Sequence, residues 1–115
     1  INIIASICQK LGIDLIISTP LSLFKQNNSQ EEQIIIADFI NKEFYLDYIE
    51  RGNNILQELS EDFSVVHYFD PRSVIIPNIN LLRDRYHPTI AGNIRIAEEF
   101  HKYIKTIGYK LNSLN

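Results

Sequence analysis

Two residues in this chain have the types and spacing to move a proton: Asp84 and His87, in Asp84-Arg85-Tyr86-His87-Pro88-Thr89-Ile90-Ala91-Gly92-Asn93. A carboxylate three residues before an imidazole reaches the Nδ1 proton of the ring if the chain between them turns. An imidazole held that way keeps Nε2 free as a base, which is what activating a serine hydroxyl requires. Pro88 biases His87 toward extended backbone. It also suits the first position of a helix, where its missing N–H would have no partner. The stretch therefore reads as a loop-to-helix junction, with His87 anchored by the helix behind it and free to face a cleft.

The elements that must position this pair follow from the patterning. Ile1, Ile3, Ile4, Ile7, Cys8 and Leu11 recur at helical spacing and Gly12 supplies a stop. Ile13 to Ser18 is a short β-branched run of the kind that forms a buried parallel strand, closed by Thr19-Pro20. Leu21 to Asn28 reads as a loop, and Ser29 with Glu32 has capping-box spacing. From there to about Ser60 the pattern is helical, with Phe39, Ile40, Phe44, Tyr48 and Ile49 on one face. These aromatics read as core rather than as the lining of an acyl pocket. Gly52-Asn53-Asn54 is expected to break the helix in two or bend it sharply. Phe63 to Phe69 is the second strand, ending at Asp70-Pro71. The irregular 73–83 segment delivers Asp84 and His87. The last helix is expected from Pro88 to about Ile107, with Ile90, Ile94, Ala97, Phe100, Ile104 and Ile107 as its apolar stripe and Gly108 as its stop.

Composition bounds the partners. The 115 residues, 45% apolar and 22% charged, read as one soluble-type domain spanning 1–115. A net charge of −3 gives no reason to expect nucleic acid or an anionic membrane surface. No apolar run approaches the ~20 residues of a membrane span, and no signal peptide is visible. The chain has no Met and opens on Ile1 inside an amphipathic pattern, so it reads as a fragment, a processed piece or part of a longer protein. Cys8 is the single cysteine, set among apolar residues, and is expected to be a buried thiol.

Asp84-x-x-His87-Pro88-Thr89-x-x-Gly92-Asn93-x-x-Ile96-Ala97-Glu98 resembles the last conserved block of the SGNH, or GDSL, hydrolases. The likeness is sharp from Asp84 to Phe100 and a matter of pattern elsewhere. It implies a partial flavodoxin-like, three-layer α/β/α fold with parallel strands, and an Asp and His that complete a Ser-His-Asp triad without a cofactor. The implied activity is hydrolysis of a carboxylic ester, whether of a lipid, an acetylated sugar or a small molecule. In that family a loop after the strand ending at Ser18 walls the active site, although Ser18, Thr19 and Pro20 read more readily as a plain strand-end turn. The family's nucleophile lies in a Gly-Asp-Ser block, and neither that nor Gly-x-Ser-x-Gly occurs here. Gly52-Asn53-Asn54 follows a helix rather than a strand, which sets it apart from the family's oxyanion block. The resemblance thus implies the C-terminal part of such an enzyme, inactive alone, whose partner is the missing N-terminal half of the same fold.

Two other readings use the same residues. His67 and Asp70, spaced three apart, join Asp84 and His87 in a His/carboxylate set that a metal-dependent hydrolase would use. His67 lies within a strand, where histidine is more often structural. A degenerate, non-catalytic relative would bind or scaffold instead.

Overall fold

A β-branched run and an aromatic-rich run make the only sheet among the described residues. Leu15–Ser18 forms β1 and Val66–Phe69 forms β2. The computed structural model, which describes residues 1–37 and 41–108, pairs them in parallel with Leu15 opposite Val66 and Ser18 opposite Phe69. The element order is α1 (Asn2–Leu11), β1, α2 (Gln30–Ile36), α3 (Lys42–Asp62), β2, a 3₁₀ turn (Pro71–Ser73) and α4 (Ile90–Thr106). The protein is therefore mixed α/β. Parallel pairing demands a crossover, and α2 and α3 supply it.

Side chains alternate across a strand, so β2 feeds two cores. Val66 and Tyr68 join Ile17, Leu56 and Leu59 on the side of α3, with Ala5 of α1 completing that cluster. Phe69 turns the other way, its ring 5.6 Å from Phe100 and 5.1 Å from Tyr103 of α4. Helices thus pack on both faces of the sheet. A second cluster lies beyond the carboxyl ends of the strands and is built largely from loops: Leu21, Leu23, Phe24, Ile36, Ile75 and Leu82.

α3 is unbroken from Lys42 to Asp62, which corrects the expected break at Gly52-Asn53-Asn54. The asparagine that favours local turns is held from outside the helix: Thr19 Oγ1, itself buried, hydrogen-bonds both Asn53 Oδ1 and the Tyr68 hydroxyl. The interruption falls earlier. α2 ends at Ile36, and α3 starts again with the Asn41 side chain accepting the Phe44 N–H (3.0 Å). Ser29 and Glu32 make the full capping box at the start of α2. Phe39 and Ile40, placed on the packed face by periodicity, lie outside the described residues; Phe44 and Tyr48 of that face are exposed.

α1 and the first turns of α4 bury different faces from those their apolar residues suggest, while Phe100, further along the expected stripe of α4, meets the sheet. α1 rests on Ala5, while Ile3, Ile4, Ile7 and Leu11 are each more than half exposed. Gly12 ends it at φ 64, and Cys8 is half-buried. α4 begins at Ile90 rather than Pro88, because Thr89 caps it by accepting the Gly92 N–H (3.0 Å) and Pro88 pairs with Leu82 in an isolated bridge. It buries Gly92 and Glu99 and leaves Ile90 and Ile94 exposed.

Gly92 is required by space. A Cβ there would overlap the Leu81 carbonyl oxygen and stand 2.9 Å from its carbon. Gly52 meets nothing and sits mid-helix. Gly92→Ala should therefore destabilise by about 2–4 kcal/mol, since backbone must shift. Gly52→Ala should stabilise by about 1 kcal/mol through helix propensity. Urea denaturation of the two variants checks both signs, and a Gly92→Ala protein as stable as wild type would refute the close approach.

Candidate active site

The loop that carries Asp84 is closed by its own backbone. The Leu82–Pro88 bridge brings its ends together, the Thr89 N–H donates to the Leu81 carbonyl (2.9 Å), and the Arg83 N–H donates to the His87 carbonyl (3.0 Å). Within that closed loop, Asp84 Oδ1 accepts the N–H groups of Tyr86 (2.9 Å) and His87 (2.8 Å). An aspartate bonding its own chain two residues on is a standard way to stabilise a turn. The turn swings the imidazole back over the carboxylate, with His87 Nδ1 2.8 Å from Oδ2 and 3.0 Å from Oδ1. Sequence spacing put these two groups within reach, and the structure brings them together.

The chemistry follows from the bonds. Nδ1 donates to the carboxylate, so Nε2 is left as the acceptor of the ring, and no side chain among the described residues is hydrogen-bonded to it. The His87 side chain is 65% exposed and that of Asp84 46%, so the face of the ring that would act as base is open. The backbone N–H groups of Tyr86 and His87, followed by the imidazole, hold the Asp84 carboxyl at about 2. Because the shift is downward, the stabilisation that goes with the ionised carboxylate is complete above the ordinary carboxylate range and lost as pH falls through about 2. Asp84 is thus ionised down to strongly acidic pH, as an orienting carboxylate must be.

Anchorage comes from the neighbour that sequence reasoning passed over. The Tyr86 ring lies 6.0 Å from Phe24 and 6.4 Å from Tyr45, and Phe24 stacks on Tyr45 at 4.8 Å. Burial, and then the Tyr45 hydroxyl beside it, push the Tyr86 phenol well above its usual range. The Leu23 N–H also donates to the Arg85 carbonyl (3.0 Å), tying the loop after β1 to this one. An aromatic residue directly before a histidine in a polar loop was the available signal.

The other candidates stand elsewhere. His67 Nε2 meets Asp14 at 3.0 Å, and Asp70 caps the 3₁₀ turn and grips Arg72 (2.8 Å). The proposed set of His67, Asp70, Asp84 and His87 is therefore two separate pairs and one cap, not one centre. Among the described residues no group of three or more His, Cys, Asp or Glu is placed to hold a metal ion. Ser18 bonds the Thr19 carbonyl and Thr19 serves the helix-to-sheet contact. No helix of the described residues is long and apolar enough to cross a membrane.

No family model, no curated protein and no solved structure matches this chain.

Asp84→Asn should separate the two jobs of this carboxylate. The amide oxygen still accepts the Tyr86 and His87 N–H groups, so the turn survives, but the amide NH₂ now faces Nδ1 and moves the ring proton to Nε2. Imidazole ¹⁵N shifts report the tautomer directly; an unchanged Nδ1–H form would refute the assigned bond.

Proposed function

We propose that this chain is the C-terminal portion of a serine ester hydrolase of SGNH type, with a partial flavodoxin-like α/β/α fold. It supplies the Asp and His of a Ser-His-Asp triad. The observation that carries the reading is the Asp84–His87 pair, held at 2.8 Å on Nδ1 with Nε2 open. His87 Nε2 takes the proton of a serine hydroxyl as that oxygen attacks the ester carbonyl. Asp84 stabilises the imidazolium, and the proton passes to the departing alcohol as the ester C–O bond breaks. Water then attacks the acyl-enzyme by the same route, returning the serine and releasing the acid. Substrates are small-molecule, lipid or carbohydrate esters.

No described serine is hydrogen-bonded to His87, so the nucleophile comes from the missing N-terminal half of the fold. Exposed surface supports such a partner. Both strands have an open edge among the described residues, and α1 presents Ile3, Ile4, Ile7 and Leu11 to solvent. A two-stranded sheet with open edges, beside a helix with an exposed apolar face, is marginal alone and is completed by a further strand and helix.

Joined to the half that bears the serine, the protein should hydrolyse p-nitrophenyl butyrate. His87→Ala should lower kcat by roughly 10⁶-fold without changing the melting curve, and chelator should have no effect. This chain alone should be inert. Full activity in His87→Ala, or loss of activity to chelator, would overturn the triad.

A further inference from the structure

A groove of about 750 Å³ lies between α3, the chain after β1 and the chain after the 3₁₀ turn. It opens beyond the carboxyl ends of both strands, the end of a parallel sheet where ligands collect. Its floor is apolar, made by Phe24, Leu46 and Ile75, and Ile76 stands 79% exposed on its rim. One wall is the flank of α3 that carries Glu43, Asp47 and Glu50. Helical spacing sets these carboxylates in a row about 10 Å long.

The cations at the rim are already engaged, including Lys42, which donates to the carbonyl of the groove residue Gln26 (3.3 Å). Lys25 binds Glu32 (2.9 Å) and the Pro77 carbonyl, and Arg72 binds Asp70 (2.8 Å) and Glu50 (3.5 Å). Asp47 has only the exposed Arg51 one turn on, at 2.9 Å, a kind of pair that contributes little. Glu43 has no ion-pair partner among the described residues. The wall therefore remains acidic above an apolar floor.

We infer that this groove binds an extended peptide segment with basic residues at alternate positions and apolar residues between them. Alternate side chains of an extended chain are about 6.6 Å apart, close to the ~6 Å rise between Glu43 and Asp47. A single-headed cation would use one carboxylate of the row, whereas a strand-like segment uses both Glu43 and Asp47. Its apolar side chains, which point away from α3, settle on Phe24 and Ile75. His87 does not line the groove, so the inference is independent of the ester-hydrolase reading.

Fluorescence anisotropy with fluorescein-labelled Lys-Leu-Lys-Leu-Lys and Glu-Leu-Glu-Leu-Glu tests it, at about 50 mM salt where such attraction is least screened. The basic peptide should bind saturably and the acidic one should not. Glu43→Lys should weaken binding about tenfold and Ile76→Ser about threefold, both at exposed positions where folding is not at stake. Glu61→Lys, the same charge change at the far end of α3, and His87→Ala should leave affinity within about twofold. Equal loss from Glu61→Lys and Glu43→Lys would reduce the effect to general charge attraction and overturn the groove. So would indifference to Ile76→Ser, binding of both peptides, or no saturable binding.

Discussion

The carbonyl of Leu81 fixes where the acid–base pair stands. It receives the Thr89 N–H and lies against Gly92 with no room for a side chain between. That single backbone contact seats the first turn of α4 on the far side of the loop, and everything between Leu82 and Pro88 is then a closed turn of fixed span. Asp84 fills the turn with hydrogen bonds, and His87 follows from Asp84. The pair owes its geometry to main-chain closure, which explains how two half-exposed side chains hold a defined arrangement without burial.

Closure alone would leave the loop free to rock as a unit, and the loop-built cluster prevents that. Tyr86 is wedged against Phe24 and Tyr45, and Leu82 is fully buried beside them. Glu32, at the edge of the same cluster, is a buried carboxylate held by Lys25, Asn28 and the Ser29 N–H. Burial raises its pKa, but these partners outweigh burial and hold it below the usual carboxylate range. A satisfied buried charge of this kind fixes α2 in register with the loop after β1, and that loop in turn bonds Arg85.

Local chemistry was legible in the sequence and tertiary partners were not. Asp84-x-x-His87-Pro88-Thr89 and the Ser29–Glu32 box are contacts within a few residues, so residue type announces them. The failures share a different cause. Periodicity shows that α1 and α4 have apolar stripes, but not which part of a stripe meets a neighbour; α1 buries Ala5, and α4 buries Gly92 against the Leu81 carbonyl and Glu99 beside Arg95 and Lys102. Gly52-Asn53-Asn54 reads as a break until Thr19, thirty-four residues away, supplies the bond that Asn53 would otherwise have sought from its own backbone. His67 likewise looked available until Asp14 was placed beside it.

The length of α3 carries a consequence for how this molecule comes apart. Its first half contributes Tyr45, Leu46 and Ile49 to the loop-built cluster, and its second half contributes Leu56 and Leu59 to the cluster on the sheet. One continuous rod is thus shared by two cores that otherwise have little in common. Neither core can melt without stripping the helix of half its support, so the described residues unfold as a single cooperative unit rather than as two foldons. A perturbation at the sheet end, near Ala5 and Leu59, is felt as lost protection of amides at the other end, beside the tyrosine that backs the histidine.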